Sequence, residues 1–284
     1  MNRLISKEYI DNHILLALNE DIKEGDYSSL CCIDSSQTSR AELIAKQEGI
    51  ICGIEIAKRV FELLDPKIEF TGFKEDGDKV EKGDRIFTVK GNAIGILSSE
   101  RTALNYLQRL SGISSTTNIY VKAIEGTNTK LLDTRKTTPG LRLFEKYAVK
   151  IGGGYNHRMG LFDMIMLKDN HIDFAGGIEN AITRANDYIR DNNLDIRIEI
   201  EVRNFNELKE VLSIGRVNRI MLDNFTPSDL KKAIEIIDGR YETESSGGIT
   251  LETIKDYAIS GVDYISVGAL THNIKSLDLS LIAY

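Results

Sequence analysis

No apolar run in this chain is long enough to span a bilayer, so a transmembrane helix is not expected. Cysteine is scarce: Cys31 and Cys32 are adjacent and Cys52 stands apart. That pattern gives neither a C-x-x-C metal pair nor a disulfide framework, and reduced thiols in a reducing compartment are the expectation. Proline is limited to Pro66, Pro139 and Pro227, and no Pro/Gly/Ser-rich linker or low-complexity stretch divides the chain. Basic residues are in deficit, with 36 Lys and Arg against 43 Asp and Glu, and the formal net charge of −7 argues against a general nucleic-acid binder. Any cationic site must therefore be local. No G-x-G-x-x-G opens a helix after an early strand, which argues against a dinucleotide fold. The N-terminal segment MNRLISKEYIDNHILLALNEDIKEGD mixes charge with Leu and Ile at helical spacing. It lacks the uninterrupted apolar core and cleavage site of a signal peptide, so a cytoplasmic protein is expected.

What is present is an ordinary globular balance, 42% hydrophobic and 28% charged over 284 residues, enough for one large domain or two unequal ones. Residues 1–110 read as helix, short strands with glycine turns, then helix. AELIAKQEGIICG, KIEFTGFKEDGDKVEKGDRIFTVKG and AIGILSSE alternate apolar positions between Gly-Asp signals, which predicts an antiparallel sheet packed on helices. The stretch 75–86 has the turn chemistry of a carrier-domain hairpin, through Gly77 and Gly83, but no exposed-lysine turn follows and a carrier role is not expected.

From about residue 130 the pattern changes. Short apolar runs KLLDT (130–134), DMIML (163–167), IRIEIEV (196–202), NRIML (218–222), YETES (241–245) and DYISVG (263–268) alternate with helical segments. Residues 175–191 place Ile178, Ala181, Ile182, Ala185 and Ile189 on one side, and 227–237 open on Pro227 and carry Leu230, Ala233, Ile234 and Ile237. This alternation predicts parallel strands in a β/α barrel, complete or slightly short of eight strands.

In such barrels the reactive side chains come from the C-terminal strand ends. Here LLDT, ending at Thr134, runs into Arg135 and Lys136, and MIML runs into Lys168. IML runs into Asp223 and Asn224, ETES into Ser246, Gly247 and Gly248, and ISV into Gly268. Glu199 and Glu201 share the face of their strand opposite Ile198, Ile200 and Val202; inward carboxylates need partners, because unpaired buried charge is costly. Glu201, nearer the strand end, is assigned to the site and Glu199 to structure. The loop IGGGYNHRMGLFD (151–163) brings His157 and Arg158, with Gly152, Gly153 and Gly154 permitting positive φ and close backbone approach. ESSGG and VGALTH occupy the last two strand–loop junctions, where barrels bind phosphate, with a helix expected to start near Thr250. Arg135, Lys136, His157, Arg158 and Lys168, gathered in an acidic protein, suit a compact polyanion such as a pyrophosphorylated sugar. Asp223 and Glu201 could hold ribose hydroxyls or a Mg2+ carried by the pyrophosphate.

The blocks SERTALNYLQRLSGIS (99–114), DTRKTTPGLR (133–142), GGGYNHRMGLFDMIMLKDNH (152–171), IEIEV, MLDNF, ESSGG and VGALTH together resemble the quinolinate phosphoribosyltransferase family across nearly the whole chain. GDYSS (25–29) departs from that family's GD-x-T-T but keeps the hydroxyls. The resemblance implies an N-terminal α/β sandwich over 1–111, rejoined by 275–284, and an incomplete, seven-stranded α/β barrel over 112–274. It implies transfer of phosphoribosyl from phosphoribosyl pyrophosphate to quinolinate with decarboxylation, with Mg2+, in NAD biosynthesis. It also implies a homodimer or hexamer in which Arg101 reaches the neighbouring subunit's site, although the helical pattern alone would make Arg101 merely exposed. Carried onto matching positions, Thr134, Arg135, Lys136, His157, Arg158 and Lys168 would bind the carboxylates and phosphates. Glu201 and Asp223 would hold the ribose and the Mg2+-bearing pyrophosphate, and Ser246, Gly247, Gly248 and Gly268 the 5′-phosphate. Lys136, Lys168, Glu201 and Asp223 are the residues expected to act in catalysis. A relative associated with molybdenum transport and a phosphometabolite-binding regulator are the competing readings.

Overall fold

The computed structural model of this chain describes residues 6–284; the first five residues of the segment read as an N-terminal helix lie outside the described residues. In chain order the elements are α1 (Lys7–Ile22), α2 (Tyr27–Cys32), β1 (Thr38–Ala45), β2 (Gly49–Ile50), α3 (Ile54–Leu64), β3 (Glu69–Gly72), β4 (Lys79–Val80), β5 (Arg85–Asn92) and α4 (Ala93–Ala123). They continue with β6 (Lys130–Leu132), α5 (Arg142–Ile151), β7 (Met164–Leu167), α6 (Asp169–Ala175), α7 (Ile178–Asp191), β8 (Arg197–Val202), α8 (Phe205–Ile214) and β9 (Arg219–Asp223). The last are α9 (Pro227–Ile237), β10 (Glu242–Ser246), α10 (Ile254–Ile259), β11 (Tyr264–Ser266), α11 (Ala269–His272) and β12 (Leu279–Ala283). Among the described residues, no helix is long and apolar enough to cross a membrane.

Two compact units result. The first takes the chain up to Asn118 with Leu143–Gly153 and Ile274–Tyr284; the second takes Ile119–Arg142 and Gly154–Asn273. The division expected at 111/112 thus falls inside α4, which runs unbroken for 31 residues, and 143–153 groups with the first unit.

The first unit is built on a four-stranded antiparallel sheet in the order β12-β1-β5-β3. Its edge comes from the chain's end, with β12 paired to β1 from Ala41↔Ala283 to Ala45↔Leu279. β1 follows the period-two rule, burying Ala41, Leu43 and Ala45. Ser6 caps α1 by accepting from the Tyr9 amide, and Ile10, Ile14 and Leu18 bury one face at intervals of four. α3 is tied to α1 by Arg59, whose Nε and Nη2 donate to both carboxylate oxygens of Asp11 at 2.7 and 3.0 Å. One strand expectation fails here: AIGILSSE (93–100) is the start of α4. Asn92 Oδ1 accepts from the Gly95 amide at the turn into the helix, and Ala93, Ile96, Ser99 and Ala103 are buried at helical spacing.

The second unit carries a parallel sheet of six strands, order β6-β11-β10-β9-β8-β7. The six runs read from the sequence are these six strands. The seventh is reduced to one parallel bridge, Leu132↔Tyr155, because GGGYNHR offers few side chains suited to a ladder. The architecture remains that of an incomplete α/β barrel. Ile198, Ile200, Val202, Ile220 and Leu222 face outward and share one apolar core with Ile182, Leu208, Val211, Leu230 and Ile237 from α7, α8 and α9. The alternate positions face inward and are far more polar.

Candidate active site

Where the parallel strands end, the second unit opens a cavity of about 480 Å3, ample for a small-molecule substrate. Thr134, Arg135 and Lys136 enter it just beyond β6, Lys168 beyond β7, Glu201 from β8 and Asp223 from β9. Ser246 closes β10, and Gly247, Gly248 and Gly268 supply the turns beyond β10 and β11. His157 and Arg158 arrive on the segment that stands where a seventh strand would run. Twelve of the thirteen residues named from sequence therefore line one cavity. Arg101 does not: it is exposed on α4, in the first unit.

Local chemistry fixes each of these groups. Lys168 Nζ donates to Glu201 Oε2 at 2.7 Å, a pair across adjacent strands, and the Lys168 amide donates to His171 Nδ1 at 3.0 Å. Asp223 accepts from Ser246 Oγ at 2.6 Å through Oδ1 and from Asn224 Nδ2 at 2.5 Å through Oδ2. Asp133, fully buried, accepts from the His157 amide at 2.8 Å and from Asn156 Nδ2 at 2.6 Å. Thr271 Oγ1 donates to the Lys136 carbonyl at 2.7 Å, and Thr134 Oγ1 accepts from the Lys136 amide at 3.0 Å. Burial, and then the nearby Arg135 charge, lower the Arg158 pKa: like charges have been brought together, a cost that a bound anion relieves.

His157 sits at the cavity floor. Burial alone would depress its pKa, but Glu199 and Glu244 outweigh it and raise the group to about 9. The Arg158 amide, 2.6 Å from Nδ1, works the other way, since a second ring proton there would face an N–H. Both arrangements keep a proton on Nε2, which lies 3.0 Å from Glu199 Oε2 and 3.4 Å from Glu244 Oε2.

Three glycine positions are dictated by geometry. Gly247 has φ +97°, and a Cβ there would collide with the Asn224 side chain. Of the three consecutive glycines read as permitting positive φ and close backbone approach, Gly153 has positive φ, at +94°, and at Gly152 a Cβ would strike the Ser114 carbonyl. The helix expected to begin near Thr250 starts at Ile254, so the amides beyond Ser246 belong to a loop and not to a helix terminus.

The cavity also contains Met166, Met221, Glu244 and Ser266, which the sequence reading missed. Each lies two positions before a strand-end residue already named, so the period-two rule of a barrel strand could have found them. His272, on α11, had no such signal. As oxygen donors on neighbouring strands, Glu201 and Asp223 are of the chemical kind that suits a hard cation such as Mg2+ arriving with a phosphate ligand.

Known proteins resemble this chain over nearly its whole length. Residues 26–111 match the family description "Quinolinate phosphoribosyl transferase, N-terminal domain", and residues 113–282 match its C-terminal domain. The chain is 46% identical over 283 residues to the chloroplastic nicotinate-nucleotide pyrophosphorylase [carboxylating] of Arabidopsis thaliana, covering 94% of this chain and 81% of that one. It is 44% identical over 281 residues to the probable nicotinate-nucleotide pyrophosphorylase [carboxylating] of Bacillus subtilis (strain 168), covering 99% and 94%. A crystal structure of NadC from Streptococcus pyogenes superposes with a TM-score of 0.94 at 41% identity, covering 100% of this chain and 99% of that one.

Proposed function

This chain belongs to the quinolinate phosphoribosyltransferase family, a family of pentosyltransferases of NAD biosynthesis, and we propose that its second unit performs that transfer with the residues gathered in the cavity. The reaction moves phosphoribosyl from phosphoribosyl pyrophosphate to the ring nitrogen of quinolinate and releases pyrophosphate and CO2. One observation carries the assignment of the site: Arg135, Lys136, Arg158 and Lys168 surround a single cavity in a chain of net charge −7.

In this reading Arg135 and Arg158 take the quinolinate carboxylates, since a guanidinium suits bidentate pairing with a planar anion. His157 forms the floor beneath the ring. Ser246, Gly247, Gly248 and Gly268 hold the 5′-phosphate through loop amides and a hydroxyl, Thr134 borders the same anion-binding surface, and Glu201 and Asp223 face the ribose. Mg2+, when bound with the pyrophosphate near Glu201 and Asp223, neutralises charge on the leaving group.

As pyrophosphate takes the electron pair of the C1–O bond, Lys136 and Lys168 stabilise the charge that accumulates on it. The pyridine nitrogen then bonds to C1 and becomes cationic. That charge stabilises the electron pair left on the adjacent carbon when its carboxylate departs as CO2, and a proton completes the product. Positioning and electrostatics suffice; no Ser or Cys nucleophile is needed.

The same reading includes a cytoplasmic enzyme that works as a homodimer or larger homo-oligomer. The exposure of Arg101 on α4 supports its reaching a neighbouring subunit's cavity. The test of the activity is a product assay. Purified protein given Mg2+, quinolinate and phosphoribosyl pyrophosphate should release pyrophosphate and CO2 in equal amounts, with nicotinate mononucleotide. An inert preparation sinks the assignment.

A further inference from the structure

Below His157, at the floor of the cavity, the barrel interior holds a row of alternating charges to which the reaction above gives no part. Arg197 Nη2 lies 2.7 Å from Glu242 Oε2, and Arg219 donates to the same oxygen through Nε and Nη2 at 3.1 Å. Arg219 Nη1 donates to Glu244 Oε2 at 2.9 Å, and the guanidinium lies over the Tyr264 ring, 4.1 Å from its centroid. His157 Nε2 stands 3.4 Å from that Glu244 oxygen and 3.0 Å from Glu199 Oε2. Glu199 and Glu244 are fully buried. Charges at this depth are retained only where they are paired, and a hydrophobic filling of equal volume would often be as stable. The row therefore calls for a reason beyond stability.

A divalent cation is the first candidate, because ligand atoms of His157, Glu199 and Glu244 all lie within 4.8 Å of one another. The imidazole decides against it. The Arg158 amide donates to Nδ1 at 2.6 Å, so Nε2 carries the ring hydrogen and has no lone pair to give a metal.

The reason lies in the strand that is missing. A barrel strand is held on both sides by ladder bonds, yet the segment that delivers His157 and Arg158 makes a single bridge, at Tyr155. Side-chain contacts surround it instead. Asp133 takes the His157 amide and the Asn156 side chain from one direction, and the Glu199 and Glu244 carboxylates stand 3.0 and 3.4 Å from the imidazole Nε2 on the other. The His157 ring then accepts the Arg158 amide, which ties the ring to the backbone that carries the Arg158 guanidinium; that guanidinium also donates through Nη1 to the Met164 carbonyl at 3.3 Å.

We infer that Glu244 and Arg219 are positioning residues for quinolinate: by clamping the His157 ring they aim Arg158 into the cavity, replacing a ladder that the seventh segment does not form. The inference rests on the reaction proposed above, and its consequence is selective. Ser246, two residues along β10 from Glu244, faces the phosphate end, so a general loosening of β10 would harm both substrates alike.

The experiment compares Glu244→Gln with the wild type in each substrate, and records the histidine ring resonances of both proteins. In the variant, kcat/KM for quinolinate is expected to fall about 10- to 100-fold, the range that misplacement of a substrate-binding group produces. KM for phosphoribosyl pyrophosphate stays unchanged, and the His157 Nε2–H resonance moves upfield as its charged acceptor is lost. Because stranding Arg219 could unfold the chain, the paired variant Arg219→Met with Glu244→Gln removes both charges and should show the same quinolinate-selective loss. Unaltered quinolinate kinetics, or an equal loss on both substrates, overturns the inference. A wild type without turnover sinks the reaction and leaves the clamp testable. Calorimetry with phthalate, an ortho-dicarboxylate, then decides: weaker binding by the variant supports the clamp, and equal or absent binding by both proteins overturns it.

Discussion

Lys168 and Arg135 lie just beyond the C-terminal ends of β7 and β6, the two edge strands of the parallel sheet, and both line the cavity. Lys168 is bound to Glu201, yet its side chain remains 44% exposed, so removing it opens no hole in the core. Lys168→Ala and Arg135→Ala are therefore each expected to lower kcat/KM at least ~100-fold, the scale of a lost transition-state charge contact, with the melting temperature near the wild-type value. Near-normal turnover by either variant would remove that residue from the site. Residues at this scale were legible because a barrel places its reactive groups at strand ends, which a polar residue after an apolar run marks. Glu244 was hidden within YETES, where an acidic residue reads as a wet face until neighbouring strands bury it against Arg219. Burial is a property of those neighbours, not of the letters around it.

At the scale of elements, the pattern of apolar positions located most strands and misread one helix. AIGILSSE satisfies both a period of two and a period near 3.6, and the turn chemistry of Asn92 with the continuous apolar face of α4 settles it as helix. The loop after Ser246 differs in the opposite way, since Thr250 to Thr253 form turns and the helix begins only at Ile254. α1 and α3 are joined by the Asp11–Arg59 pair, and the Arg59 hydrogen bond lowers the Asp11 pKa. A carboxyl group whose folded-state pKa is depressed contributes stability above its unfolded value and loses it as pH falls through the folded one. Asp11→Asn should therefore cost roughly 0.2–1 kcal/mol at neutral pH, the range for partly exposed pairs. The difference from wild type should vanish in strong acid. Denaturant unfolding across that range checks it, and a gap that persists at the acid end contradicts the assignment.

For the molecule as a whole, an acidic chain with one concentrated cationic cavity fits a small anionic substrate better than a polymer. Whether two chains share a site is answered by mixing. Arg101→Ala and Arg135→Ala are each expected to be nearly inactive alone, while their mixed dimers should regain part of the wild-type rate through the one cavity that keeps both arginines. Proven mixed dimers without recovery would show that Arg101 serves no neighbouring site.

The order of apolar runs and their polar ends determined the parallel barrel, the end of it where the cavity opens and twelve of the residues that line that cavity, because those features follow from a period of two along each strand and from what an L-residue or glycine can do at a turn. Only the tertiary structure decided that the seventh strand shrinks to one bridge, that Arg101 lies outside the cavity lining and that His157 hangs between Asp133 and two buried glutamates. These depend on contacts between residues far apart in the chain, and neither spacing nor composition carries the distance between them.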